Sequence, residues 1–295
     1  MGFGLHYHNM AFLQTDDVIM PSIGGAGSSL LGNIILELGL GYIDLNRDRL
    51  IDDTTVHLAD DAISRRIRGY PPSAEGSVQS SHEPSLHAVH CPRPRLMKTH
   101  LPSEEFDGYN FGSVLLLVRD PRDALYSWYR YHRGFAQLEW EKVPDTFTEF
   151  LRMPFFTGRP PAEAWAIYYR DWLSAAQRAS ACHVLRFEDL KADAARAMRE
   201  AFAALSIAVD ETELRRAADH SSYEAMRARE DAVVARQTER QEAVSGPGQP
   251  EARVMRSGKV GGWRDWMTPE LGNHFAVPEL RRLARRFGYD LETST

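Results

Sequence analysis

Residues 112–132 read GSVLLLVRDPRDALYSWYRYH, and this stretch predicts a strand, an abrupt turn and a helix. The valine- and leucine-rich run before Arg119 is bounded by polar turn residues, which is typical of a strand buried on both faces. Asp120 stands where a helix N-cap belongs, and Pro121 follows at the first helical position, where its missing N–H costs nothing. Arg119 therefore lies at the carboxyl end of a strand, the edge at which open α/β sheets bind their ligands. Ser127 follows within the first turns of the helix.

Strands alternate with helices along the remaining chain. Further strands are predicted at 18–20, 95–100 and 182–187, and helices near 30–38, 145–153, 162–180, 192–206, 211–242 and 278–287. This alternation predicts an α/β fold with a mostly parallel sheet flanked by helices on both faces. We expect one domain over residues 1–295.

A glycine-rich turn, PSIGGAGSS at 21–29, joins the first strand to the first helix. In such a turn, backbone N–H groups and the positive end of the helix dipole favour a bound phosphate. The turn is not a Walker A loop, because no Lys-Ser or Lys-Thr follows a glycine at the required spacing. It is not a dinucleotide fingerprint either, because the last position is Leu30. A turn that merely caps a core helix is the alternative, and the turn by itself does not decide between the two.

Net charge, cysteine count and the length of the apolar runs limit the possible functions and the location of the protein. A net charge of −6 and a pI near 6.0 predict no general affinity for nucleic acid, so any phosphate site is local. The two cysteines show neither metal-ligand spacing nor a disulfide framework. No run approaches the roughly 20 apolar residues of a membrane span, and no signal peptide is apparent. We therefore expect a cytoplasmic protein with no membrane partner and no bound metal.

Six motifs occur in the order that one protein family shows. They are the turn at 21–29, KTHLP at 98–102, RDPRDALYSW at 119–128, FEDL at 187–190, SYEAM at 222–226 and RSGKVGGW at 256–263. In this order the chain resembles the PAPS-dependent sulfotransferases of the cytosolic type, from about residue 18 to about residue 275. The donor of that family is 3′-phosphoadenosine 5′-phosphosulfate (PAPS), and the product is adenosine 3′,5′-bisphosphate (PAP).

The resemblance implies a role for each motif. The first turn would bind the 5′-phosphosulfate through Gly25, Ala26, Gly27, Ser28, Ser29 and Leu30. The 3′-phosphate would contact Arg119 and Ser127, and the segment Arg256, Ser257 and Gly258 would close over it. Three further residues would lie beside the adenine: Phe187, Ser222 and Tyr223. The reaction needs no metal in this family.

His100 and Lys98 are the predicted catalytic pair. Sulfuryl transfer needs an acceptor oxygen that loses its proton as it attacks sulfur, and a histidine with a near-neutral pKa suits that role as a general base. Lys98 lies two positions earlier on a strand, so it would project to the same face and offset negative charge on the transferring group. A structural histidine is the alternative, which the neighbouring motifs disfavour.

The chain departs from the family pattern at Gly25, Leu30, Ser257 and Gly262, and its first turn is about three residues longer after Pro21. Gly25 aligns with a lysine that assists the leaving phosphate, Leu30 with a tryptophan that stacks on adenine, and Ser257 with the lysine of the late motif. Lys98, Lys259 or extra backbone donors could replace the missing charge, and the sequence does not choose among them.

Three functions remain open at this point. The first is a sulfotransferase that acts on a hydroxyl of a small molecule, with a natural product as one candidate. The second is a non-catalytic nucleotide- or substrate-binding protein on the same scaffold. A P-loop kinase is disfavoured, since Walker A is absent and no obvious magnesium ligand follows Ser28. We expect mobile loops over the acceptor site at 42–90 and 236–252. Neither the acceptor nor the choice between monomer and homodimer can be read from the sequence.

Overall fold

A single parallel sheet of five strands forms the centre of the fold. The computed structural model describes residues 10, 13–44, 93–139, 144–155, 157–242 and 255–292. The strands are β1 (Val18–Pro21), β2 (Gly41–Asp44), β3 (Arg95–Thr99), β4 (Ser113–Val118) and β5 (Ala181–Arg186). Their order across the sheet is β2-β3-β1-β4-β5, and every neighbouring pair is parallel.

This strand order decides which segments meet. β1 lies between β3 and β4, with Met20 opposite Lys98 and Val18 opposite Ser113. On the other side of β4, Val118 lies opposite Arg186 of β5. Since the strands are parallel, the turn after β1 and the carboxyl ends of β3, β4 and β5 lie along one edge of the sheet.

The described helices flank the sheet. They are α1 (Ser28–Glu37), α2 (Pro121–Glu139), α3 (Phe147–Phe150), α4 (Pro161–Ala175), α5 (Phe187–Ala192), α6 (Ala194–Ala204), α7 (Glu211–His220), α8 (Tyr223–Glu242), α9 (Pro269–Asn273) and α10 (Pro278–Arg286). In the part of the chain that the structure describes, no helix is long and apolar enough to cross a bilayer.

The α/β prediction is confirmed, and so is its central strand–turn–helix unit. Asp120 begins α2 as predicted, because its Oδ1 accepts a hydrogen bond of 2.9 Å from the backbone N–H of Arg122. The aromatic stripe of α4 is core. Its four rings, each at most 1% exposed, are Trp165, Tyr168, Tyr169 and Trp172.

Some residues of the two predicted loops, 42–90 and 236–252, belong to a strand and a helix. Residues 42–44 belong to β2, and residues 236–242 belong to α8. β2 is only four residues long, so its own pattern is weak and its pairing with β3 holds it in place. The rest of both predicted loops lies outside the described residues. The expectation of one domain over 1–295 also extends beyond them and stays a prediction.

Candidate functional site

A cavity of about 1490 Å³ opens at the carboxyl edge of the sheet. Fifteen of the residues predicted from the sequence line it: Gly25, Gly27, Ser28, Ser29, Leu30, Lys98, His100, Arg119, Ser127, Phe187, Ser222, Tyr223, Arg256, Ser257 and Gly258. Ala26 is the exception. It is fully buried in the hydrophobic core, so its side chain does not face the cavity. The strand order thus brings together residues that are up to 233 positions apart, from Gly25 to Gly258.

The first turn has no room for side chains at two of its glycines. Gly25 has φ +81°, and a Cβ atom there would lie 2.2 Å from the backbone oxygen of Ala124 on α2. Gly27 has φ +102°, and its Cβ would lie 2.3 Å from the ring of Phe187. In this conformation the turn packs directly on α2 and α5. A lysine at position 25 is therefore incompatible with the turn as it stands.

Arg119 links three segments of the cavity wall. Its Nη1 donates to the backbone oxygen of Gly25 at 2.9 Å, and its Nη2 donates to that of Lys259 at 3.0 Å. The guanidinium also stacks on Phe187, 4.3 Å from the ring centroid. Burial lowers the pKa of Arg119, whereas the nearby Asp123 carboxylate raises it. Arg119 thus joins the first turn to residues 256–263, called the late segment from here on. A buried guanidinium in this place is suited to bind an anion that carries several negative charges.

Arg256 contacts the predicted partner on α2. Its Nη2 donates to both the hydroxyl oxygen of Ser127, at 3.0 Å, and the Ser127 backbone oxygen, at 2.9 Å. The hydroxyl of Tyr223 donates to the backbone oxygen of Arg256, which holds the late segment against α8. Burial, together with the positive charges of Arg130 and Arg119, lowers the pKa of Arg256 to about 10.

Asp123, in the first turn of α2, belongs to the site although no role for it follows from the sequence motifs. Its Oδ2 accepts a hydrogen bond from the backbone N–H of Gly261 at 2.8 Å, and its Oδ1 accepts one from that of Trp263 at 2.7 Å. Burial raises the pKa of the carboxyl group, while Arg119 lowers it. One carboxylate thus anchors the late segment to the start of α2. The sequence shows that Arg119 and Asp123 are four residues apart, but it does not show which distant backbone groups they bind.

His100 lies just beyond the end of β3, and its tautomer follows from its partner. Nδ1 is 2.6 Å from the backbone oxygen of Ser22, and a carbonyl oxygen can only accept a hydrogen bond. Nδ1 therefore carries the proton, and the lone pair of the neutral ring is on Nε2. Tyr168 donates to the same oxygen at 3.2 Å, so α4 helps to hold the carbonyl that orients the histidine. This arrangement fits a proton acceptor at Nε2.

Two further aromatic side chains on α2 belong to the cavity, although no individual role for them was predicted. Trp128 and His132 line the cavity, one turn apart on α2. The indole of Trp128 packs on Gly24 and meets Phe155 edge-on, with ring centroids 4.3 Å apart. Burial, together with Arg256, lowers the pKa of His132 to about 4, so this ring is neutral at pH 7.

Two lysines were candidates to replace the missing charge of the first turn. The Nζ of Lys259 forms an ion pair with the Asp265 carboxylate, and both side chains are more than half exposed. Lys98 lines the cavity on β3, as His100 does just beyond it. Lys259 lines the same cavity, so both lysines remain candidates. Within the described ranges, no group of three or more histidine, cysteine or acidic side chains is placed to hold a metal ion.

Comparison with known proteins identifies the family. Residues 15–277 match the Sulfotransferase domain family, so the chain belongs to it. Sulfotransferase 2A6 of Rattus norvegicus is 28% identical over 197 residues, which are 66% of this chain and 63% of the relative. Sulfotransferase 1C2 of Homo sapiens is 26% identical over 194 residues, which are 65% of this chain and 60% of the relative. The matched region thus spans less than two thirds of these relatives.

Solved structures share the fold at low sequence identity. Mouse sulfotransferase SULT7A1, crystallised with PAP, is 18% identical with a TM-score of 0.59 over 96% of this chain and 90% of that protein. Retinol dehydratase, crystallised with retinol and PAP, is 18% identical with a TM-score of 0.55 over 96% of this chain and 84% of that protein. The resemblance to a family, inferred from six short motifs, is confirmed.

Proposed function

We propose that this chain is a PAPS-dependent sulfotransferase that moves the sulfuryl group of PAPS to a hydroxyl of a small-molecule acceptor. One observation carries the proposal: Arg119, Ser127 and Arg256 gather at one cavity with His100 in its wall. Family membership supports it, and the PAP found in SULT7A1 and retinol dehydratase shows what other proteins of this fold bind.

The residues present fit a doubly phosphorylated nucleotide. The cavity offers the buried cation Arg119 and the partly buried cation Arg256, and Arg119 keeps a buried Nε without a hydrogen-bond partner among the described residues. Glycine at position 27 lets the first turn lie against the Phe187 ring. Arginines and backbone N–H groups are the usual protein ligands of phosphate. The donor would therefore lie with its 3′-phosphate near Arg119, Ser127 and Arg256.

His100 would act as the general base. As the acceptor oxygen forms a bond to sulfur, Nε2 takes the hydroxyl proton, and the bond between sulfur and the 5′-phosphate oxygen breaks with its electron pair left on the phosphate. Ser22 keeps the ring oriented through Nδ1. A base in this position contributes typically about 10²–10⁴-fold to the rate. Lys98 would offset the charge on the transferring group.

The acceptor would lie against aromatic surface near His100. Tyr126, Trp128 and Trp266 all line the cavity, and the first and last of these rings stack with centroids 4.4 Å apart. In related structures retinol dehydratase holds retinol or androsterone, each an apolar molecule with a hydroxyl. We propose a small hydroxylated acceptor of this kind, and a natural product remains one candidate. The cytoplasmic location and the absence of a metal stay predictions.

The test is transfer of labelled sulfate from PAPS to a panel of phenols and alcohols, with PAP release as the second readout. We expect turnover by the wild-type protein and a loss of about 10²–10⁴-fold in kcat for His100→Ala, with PAP affinity nearly unchanged. His183→Ala, on β5 and outside the cavity lining, is the matched control. Full activity of the His100→Ala variant would contradict the base assignment.

A non-catalytic nucleotide-binding protein is the second candidate, and Gly25 is the observation that favours it. The turn excludes a side chain where the family pattern has a lysine that assists the leaving phosphate. Tight PAP binding in calorimetry, with no transfer to any acceptor in the panel, would establish this alternative.

A further inference from the structure

A third arginine lies beside the two that the family resemblance singles out. Arg130 is one helical turn after Ser127 on α2, on the same side of the helix, and it lines the same cavity. Its charge is close enough to Arg256 to lower the pKa of that guanidinium, as Arg119 does. Three guanidinium groups therefore converge on one end of the cavity.

Carboxylates lie near two of the three arginines, Arg119 and Arg256. Asp123 is 3.9 Å from Arg119, but its two oxygens already accept hydrogen bonds from the backbone of the late segment. Glu230 raises the pKa of Arg256, and it also accepts a hydrogen bond from the N–H of Met255. Arg130 itself forms no ion pair with any described carboxylate.

Arg133, three residues further along α2, is paired with a carboxylate, as is usual for an arginine on the protein surface. Its Nη1 is 3.2 Å from a carboxylate oxygen of Asp145, and it does not line the cavity. Arg130 adds a positive charge beside Arg256 that forms no ion pair with a described carboxylate, and the repulsion between these two guanidinium groups is relieved when an anion binds between them. Arg130 thus belongs to the cavity, whereas Arg133 belongs to the surface.

We propose that Arg130 is an additional binding residue for the donor, and that it contacts the 3′-phosphate together with Arg119 and Arg256. The inference rests on the proposed function, since it names a further partner for the same nucleotide. Ser257, in the late segment and on the same cavity wall, is neutral. The third positive charge of this site is therefore supplied by α2 rather than by the segment that covers the phosphate.

The experiment compares PAP with adenosine 5′-monophosphate, which lacks the 3′-phosphate, by calorimetry on three proteins. Arg130→Gln removes the charge and keeps the helix propensity, and Arg133→Gln removes a charge from the same helix outside the cavity. We expect Arg130→Gln to weaken PAP binding about tenfold, the loss of one partly exposed charge-assisted hydrogen bond. Binding of adenosine 5′-monophosphate, and binding of either nucleotide to Arg133→Gln, should change less than twofold.

A rescue variant separates a local contact from damage to the fold. Ser257→Lys in the Arg130→Gln background places a charge on the same wall and should restore most of the PAP affinity. Equal losses for PAP and adenosine 5′-monophosphate would overturn the proposal, and so would wild-type PAP affinity of Arg130→Gln. If the wild-type protein binds no PAP, the proposed function itself is wrong, which is a different outcome.

Discussion

Gly25 illustrates how the absence of a side chain shapes the site. Its Cβ would collide with the Ala124 oxygen at 2.2 Å, so the backbone itself occupies the space beside α2. The Gly25 oxygen then accepts a hydrogen bond from Arg119. The sequence alone identified this position as a departure from the family, because the aligned residue is a lysine. The contact that explains the departure lies 99 positions away, at Ala124, and could not be predicted.

Gly25→Ala should therefore lower the free energy of unfolding by more than the left-handed backbone conformation alone explains. Gly39 has a similar φ of +75° but nothing within 4 Å of its Cβ, which makes Gly39→Ala the matched control. We expect Gly39→Ala to lower the free energy of unfolding by about 1 kcal/mol, through the left-handed backbone only. Gly25→Ala adds a steric clash and should cost about 3 kcal/mol. Urea unfolding of both variants measures the difference, and equal losses would contradict the close packing of the turn on α2.

At the scale of elements, the late segment is held in place by contacts to other parts of the chain. Asp123 accepts the N–H groups of Gly261 and Trp263, and Arg119 donates to the oxygen of Lys259. Arg122 stacks on Trp263, 3.6 Å from the ring centroid. Since few of its own backbone groups pair within it, the segment depends on α2 and α8 for its position.

Asp123→Asn tests this dependence. An amide offers one acceptor oxygen where the carboxylate offers two, so one of the two backbone N–H groups loses its partner. We expect stability to fall by about 2 kcal/mol and PAP affinity to fall about tenfold, because Arg256 and Gly258 are no longer held over the cavity. Unfolding and calorimetry measure the two effects. Asp171→Asn, whose carboxylate pairs with the exposed Arg170, is the control and should bind PAP normally.

At the scale of the whole molecule, the fold class was predictable and the strand order was not. Alternation of apolar strands with amphipathic helices is a local signal, and β4 with α2 carries it strongly. The order β2-β3-β1-β4-β5 depends on how the crossover connections pack, which leaves no local pattern. β2 was missed for the same reason, because only its pairing with β3 identifies it.

The candidate site was predictable where residue type and motif coincide. His100, Arg119, Ser127 and Arg256 were named from the sequence, and they line one cavity. Their roles stay predictions. The sequence reading missed Asp123 as an anchor of the late segment and Arg130 as a cavity charge. On a helix either residue looks like an ordinary surface charge until the neighbouring segments are in place.

A crystal structure of the protein soaked with PAP tests the central claim most directly. The distant segments around the cavity are expected to meet at one nucleotide. The 3′-phosphate should lie within hydrogen-bond distance of Arg119, Ser127 and Arg256, with the 5′-phosphate at the turn of Gly25–Ser29 and His100 beyond it. PAP bound elsewhere, or bound in this cavity with its 3′-phosphate away from these three residues, would contradict the claim.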